Sequence, residues 1–179
     1  MVPEAPLETT ENGRVAKGDG WFVLDARDAR WYSREGRPAL CDLEGDSEFS
    51  QLGINIQVLG PGQPMAMYHW EADQEDFLVV SGEALLLVEG EERPLRAWDF
   101  VHFPPRVDHN IVGAGVGPVV IVAVGARVDS TGPNWGAYPV DEVALRHNAG
   151  VERETTDANE AYARFPESRA VPYEDGLLP

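Results

Sequence analysis

Cysteine is almost missing from this chain: Cys41 is the single one among 179 residues. No internal disulfide can form, which fits a reducing compartment. Basic residues are scarce too. Fourteen Lys and Arg against 31 Asp and Glu leave a formal net charge of -17. Nucleic-acid binding needs clustered cations to neutralise phosphate, and so acidic a chain repels a polyanion. No apolar run approaches the roughly 20 residues that span a bilayer. The opening Met1-Val-Pro-Glu-Ala-Pro-Leu-Glu8 has neither a basic region nor an apolar stretch, so no secretory signal is expected. These absences predict a cytoplasmic protein that meets small molecules rather than nucleic acid or membrane. The acidity itself serves solubility; a field that gathers metal cations or a cationic substrate is the second account of it.

Convincing helical periodicity is also lacking in the first two thirds of the chain, and short strands take its place. Leu52, Ile54, Ile56 and Val58 alternate with Gly53, Asn55, Gln57 and Leu59, a period-two pattern that stops at Gly60-Pro61-Gly62. Strands are expected at Trp21–Asp25, Ala39–Leu43, Met65–Glu71, Phe77–Val80, Ala84–Val88, Phe100–Phe103, His109–Val112 and Val119–Val124. Turns fall at Ser81-Gly82-Glu83 and Glu89-Gly90-Glu91. Strand after strand at short spacing predicts an all-β antiparallel sandwich or barrel. The length suits one core. Residues 1–19 read as a flexible arm, 20–127 as the barrel with its sharpest patterning at 52–127, and 128–179 as an extension packed on it. Val140–Leu145 and Asp157–Phe165 are expected as short helices, the second with Asp157 as N-cap.

Chemistry concentrates in one stretch. His69, Glu71 and Glu75 lie within seven residues, and His109 follows Pro104-Pro105 after more strand-like sequence. His69 and Glu71 are two apart, so on a strand both face the same way. Two imidazoles and two carboxylates that converge suit a divalent transition metal. Each also has a plainer reading, as a surface group or hydrogen-bonded scaffold. Asp73 and Asp76 read as solvated loop residues, His102 as packing beside the site and His147 as surface. Trp70 should point away from His69 and Glu71, and Trp98 should fill a turn and cap the barrel. Met65, Met67, Tyr68 and Phe77 read as core, or else as the lining of a small apolar pocket.

The spacing resembles the cupin superfamily. Its first motif runs Gly, five residues, His-x-His, three or four residues, Glu, six residues, Gly. His69, Glu75 and Gly82 match, Glu71 stands at the second His, and Gly62 lies one place early. The second motif runs Gly, five residues, Pro-x-Gly, two residues, His, three residues, Asn. Pro104 and His109 match, whereas Trp98 and Arg106 replace glycines and Gly113 replaces Asn. The flavour is that of single-domain bacterial cupins of the phosphomannose-isomerase-like type. The resemblance implies a double-stranded β-helix, or jelly-roll barrel, with one metal ion held by His69, Glu71, Glu75 and His109. With a second carboxylate in the set, Mn²⁺, Fe²⁺ or Zn²⁺ is expected over copper; alternatively Glu71 orients a ligand or acts as a base. A homodimer is the expected assembly.

Such a fold does not select a reaction. The leading expectation is a metal-dependent enzyme, an isomerase, lyase, decarboxylase or dioxygenase, acting on a small oxygenated metabolite, with Glu75 or Glu71 moving a proton. The alternatives are a non-catalytic binding or sensing barrel and a barrel that no longer holds metal.

Overall fold

Alternation along the strands builds two facing antiparallel sheets. The computed structural model describes residues 1–129, 132 and 134–179. In chain order the elements are β1 (Leu7–Thr10), β2 (Gly13–Ala16), β3 (Arg30–Ser33), β4 (Ala39–Asp42), β5 (Leu52–Leu59), β6 (Trp70–Glu71) and β7 (Glu75–Ser81). They continue with β8 (Glu83–Val88), β9 (Glu91–Arg96), β10 (Phe100–Phe103), β11 (His109–Gly113), β12 (Val119–Ala126) and β13 (Gly136–Ala137). Two short helices, α1 (Glu142–Arg146) and α2 (Ala158–Ala161), precede β14 (Arg169–Val171). The larger sheet has the order β10-β7-β12-β5-β4-β3-β14, and the smaller one β11-β8-β9. The predicted jelly-roll barrel is present.

Period two sorts the side chains between an inner and an outer core. Leu59, Phe77, Val79 and Ile121 from the large sheet pack inside the barrel against Leu86 and Ile111 from the small one. Val58 and Val120 point the other way, onto Trp31, Cys41 and the C-terminal Tyr173, Leu177 and Leu178. Cys41 is wholly buried, and burial pushes its thiol up to about 12, so it is an inert core residue. No helix among the described residues is long and apolar enough to cross a membrane.

Four local expectations change. Trp21–Asp25 forms no strand: Trp21 makes one bridge, to Glu4, while Leu24 tucks into the outer core. Within residues 1–19, β1 and β2 pair as a hairpin that buries Val15 and Ala16. Strand β3 was hidden because its Arg30-Trp-Tyr-Ser33 has no apolar alternation. Only Trp70–Glu71 of the expected Met65–Glu71 strand is a strand, because groups other than a neighbouring strand satisfy its backbone. Asn110 Oδ1 accepts from Ala66 N–H, Tyr162 Oη accepts from Met67 N–H, and the Ala149 carbonyl accepts from Tyr68 N–H. The helices are shorter than expected, but Asp157 does cap α2, accepting from Asn159 N–H at 2.8 Å, and Asp141 caps α1 at 2.7 Å.

Trp98 and Arg106 stand where the cupin pattern has glycine, and both hold left-handed backbone, at φ 75° and 71°. The turn geometry was kept without the residue that adopts it freely. Trp98 does not cap the barrel; it is 74% exposed. Conversely, Gly113 is needed: a Cβ there would lie 2.1 Å from the Gly60 carbonyl oxygen.

Two substitutions test this. Trp98→Gly should stabilise the fold by up to about 1 kcal/mol, the left-handed cost of roughly 1–2 kcal/mol less the chain entropy that glycine adds. Gly113→Ala should destabilise it by about 1–3 kcal/mol, since backbone and not a mobile side chain blocks the methyl. Urea midpoints at unchanged m-value check both.

Candidate metal centre

Three neighbouring strands change character together along the barrel axis. Inward residues run Leu59, Gln57, Asn55, Gly53 on β5; Ile121, Ala123, Gly125 on β12; and Val79, Phe77, Glu75 on β7. The register aligns them: Ile121 faces Gln57 and Val79, Ala123 faces Asn55 and Phe77, and Gly125 faces Gly53 and Glu75. Large apolar side chains fill one end, while small and polar ones leave the other open. The result is a cavity of about 360 Å³ with His69, Glu71 and Glu75 in its wall.

A backbone bridge joins His69 to His109, with N–H···O distances of 3.1 and 2.8 Å in the two directions. Each ring is held the same way. Nδ1 of His69 lies 2.7 Å from the Met67 carbonyl oxygen, and Nδ1 of His109 lies 2.9 Å from that of Val107. A carbonyl only accepts, so each Nδ1 carries the hydrogen, and in the neutral rings, the form that can bind an ion, each Nε2 keeps its lone pair. Phe103 stacks on the His109 ring at 3.8 Å and 20°, fixing its plane.

Both lone pairs face Glu75. Its Oε2 is 3.3 Å from His109 Nε2 and 3.6 Å from His69 Nε2. His69, Glu75 and His109 form the one donor cluster of this kind among the described residues, with ligand atoms mutually within 4.8 Å. Glu75 Oε2 and His109 Nε2 are buried and have no hydrogen-bond partner. Buried polar atoms are rarely left so without a reason. Two donors each about 2.1 Å from a shared ion, at 90–110°, stand about 3.0–3.4 Å apart. The observed spacing is close to that, so the donor set fits a divalent ion.

Glu71 lies at the edge of this cluster, its Oε1 3.6 Å from His69 Nε2 and its side chain 26% exposed to the cavity. Burial acts to lower the basicity of His69, but the Glu71 carboxylate close by, the Glu75 charge and the Met67 carbonyl outweigh it, and the pKa of the imidazole is raised. Glu75 is held low: burial opposes its charge, and the His109 contact with the charges of both imidazoles prevails.

Other residues divide. Asp73 is not solvated; it is 6% exposed and accepts from Val128 and Asp129 N–H, pinning the chain after β12. Asp76 is no loop residue either, for it sits on β7 and meets His102 Nδ1 at 2.7 Å. That contact faces outward, so His102 is not beside the cluster. His147 is paired with Glu92 near the surface. The Arg106 guanidinium covers Trp70 at 5.0 Å. Met65 and Phe77 belong to core and cavity wall alike, whereas Met67 and Tyr68 are buried in other clusters. Sequence reasoning missed Arg37, Asn55, Gln57, Tyr138 and Tyr162 in the cavity wall. The polar phase of β5 was the available signal, since its alternation left Asn55 and Gln57 on the face shared with Leu59.

A jelly-roll with a histidine–carboxylate cluster in its mouth is the cupin arrangement, and residues 55–125 match the cupin domain family. This segment is thus a cupin domain. A proposed sugar phosphate isomerase from Acidithiobacillus ferrooxidans is 31% identical over 44% of this chain and 52% of that one, with a TM-score of 0.43. The chain thus spans about half the length of that relative. A protein described as a predicted oxalate decarboxylase from Thermotoga maritima is 16% identical over 60% of this chain and all of that one, at TM-score 0.53. An RmlC-like cupin from Shewanella frigidimarina is 18% identical over 61% and 93%, at TM-score 0.52. The last two share the fold. No curated protein sequence matches the chain.

Glu44 holds Arg127, a residue of the cavity wall. Its carboxylate accepts from Phe49 and Ile54 N–H and pairs with Arg127 at 2.6 Å. Burial resists its charge, but the Arg127 bond and the two amides hold it below the usual carboxylate range. A depressed carboxyl stabilises the fold above its unfolded value of about 4.3 and loses that contribution as pH falls through its folded value. Glu44→Gln should therefore lower the melting temperature at pH 7 and flatten the acid side of the stability curve, measured calorimetrically from pH 7 to 3.

Proposed function

We propose that this cupin is a metal-dependent enzyme acting on a small oxygenated metabolite. The observation that carries the reading is the pair Glu75 Oε2 and His109 Nε2, buried beside His69 Nε2 with no hydrogen-bond partner. In this reading His69, Glu75 and His109 hold the ion. Three protein ligands leave coordination positions free towards the cavity, as in catalytic rather than structural sites. The imidazole and carboxylate donors favour Mn²⁺, Fe²⁺ or Zn²⁺. A divalent ion there would polarise a carbonyl or hydroxyl oxygen and acidify bound water.

The chain's own groups supply the rest. Glu71, partly exposed in the cavity wall and in contact with His69, is the proton acceptor for a ligand group beside the cluster. Burial first of all, with the Tyr162 and Glu71 charges, keeps the Tyr138 hydroxyl protonated, so it serves as a hydrogen-bond donor. The Met67 and Val107 carbonyls keep both imidazoles in one orientation throughout. Phe77, Phe103 and Met65 line the buried side and exclude water from it.

Elemental analysis of protein purified without added metal tests this directly. Close to one equivalent of transition metal is expected, lost in His109→Ala and Glu75→Gln and retained in Glu71→Gln. Chelation should lower stability by about 2.7 kcal/mol relative to protein at a free-ion concentration 100-fold above Kd. With a substrate found by screening, Glu71→Gln should reduce turnover about 10²–10⁴-fold. Oxygen uptake would select a dioxygenase; oxygen-independent turnover would select an isomerase, lyase or decarboxylase. Metal-free protein that takes up no added ion would overturn the proposal. Tight ligand binding without turnover would leave a sensing barrel instead.

A further inference from the structure

Arg37 lines the same cavity as His69, Glu71 and Glu75, yet it comes from the turn between β3 and β4, outside the segment that matches the cupin family. Its guanidinium is firmly placed. Nη2 donates to the Met65 carbonyl at 2.6 Å and Nη1 to that of Pro64 at 3.4 Å. The plane packs over Tyr162 at 4.9 Å and Phe165 at 5.4 Å. Two of five N–H donors are engaged, and the remainder have no acceptor of their own charge class. Among the described residues no carboxylate lies within 4.0 Å of it, in a chain with 31 acidic residues.

A half-buried cation without a counter-ion is costly, and this one shows it: burial first, then the charges of Arg34 and Arg164, works against the charged form. Arg34 is also without a carboxylate partner, and its Nε is buried and unpaired. It lines an adjoining groove of about 290 Å³ that shares Arg37, Leu40 and Gln57 with the cavity. On the opposite strand a third group lacks a partner, the buried Asn55 Oδ1 in the cavity wall.

Formal charges make the argument quantitative. Arg127 is cancelled by Glu44. With a divalent ion in place, Glu71 and Glu75 neutralise it, and Arg37 remains as one uncompensated positive charge. We infer that the cavity receives a small acid, docked by its carboxylate or phosphate oxygens on Arg37 while its reacting end meets the His69–Glu75–His109 cluster. Arg37 is thus the specificity residue for the anionic end. The inference rests on the proposed metal site for the reacting end and for the neutralisation of Glu71 and Glu75. A volume of about 360 Å³ lies at the low end of ligand cavities and suits a compact acid.

Isothermal titration of the metal-loaded full chain tests it with matched probes: glycolate against glycolamide, and glycerol 3-phosphate against glycerol. At least one anion should bind ten or more times tighter than its neutral partner, and which one does so tells carboxylate from phosphate. Arg37→Gln should weaken that binding about 10–100-fold, the range of a charge-assisted pair. Its metal content should match wild type. Equal binding of anion and neutral partner, no anion binding up to about 10 mM, or unchanged affinity in a folded Arg37→Gln variant would overturn the inference. Should Arg37→Gln fail to fold, the matched probes on wild type decide alone. Anion binding that depends on Arg37 in protein holding no metal would keep this inference and remove the metal reading.

Discussion

The two-residue bridge between His69 and His109 is the contact on which the site depends. Reciprocal backbone hydrogen bonds set the two residues side by side, and each imidazole then turns back to the carbonyl two residues before it. Identical local geometry on antiparallel segments aims both Nε2 atoms at one place. Glu75 arrives independently, at the first position of β7, where the register with β10 sets it opposite Phe103. Phe103 in turn stacks on His109. Strand pairing and ring packing therefore position Glu75 and His109, and the backbone bridge ties His69 to them.

What holds the His69 segment is less regular. Residues 65–69 have no continuous strand partner, and Asn110, Tyr162, Ala149 and Arg37 satisfy their backbone groups instead. Asn110 is fully buried, and besides accepting from Ala66 N–H it donates to the Ala66 carbonyl at 2.6 Å. Tyr162 has two functions. Its hydroxyl oxygen fixes Met67, and its ring supports Arg37 at the cavity wall. The residues after the barrel are thus part of how the site is built.

The sequence made the barrel legible wherever period two was strong, as in β5, β8 and β12, because alternation there reports burial on both faces. It failed at β3, whose Arg30 and Ser33 frame a wholly buried Trp31, and at Trp21–Asp25, where Trp21 and Val23 are exposed and only Leu24 packs into the outer core. His69, Glu75 and His109 were legible because their spacing matches the two cupin motifs. Arg37 was not. It is brought to the cavity by the pairing of β4 with β5, a long-range register that no local pattern encodes. Asp73 was misread for a related reason: its partners, Val128 and Asp129, lie more than fifty residues away. Trp98 and Arg106 show that a family glycine marks a backbone conformation more reliably than a residue identity.

An acidic chain with an anion-seeking pocket is not a contradiction. At 0.15 M ionic strength the field of surface carboxylates is screened within about 8 Å. Inside a half-closed cavity screening is weaker, and the nearest charges decide. There the carboxylates of Glu71 and Glu75 are turned towards the histidines, and Arg127 in the wall is paired with Glu44. Arg37 is left as the cation whose counter-charge the fold does not supply. The net charge of -17 therefore governs solubility and the slow approach of anions from a distance, while Arg37 and the charges of the cavity wall govern what is retained.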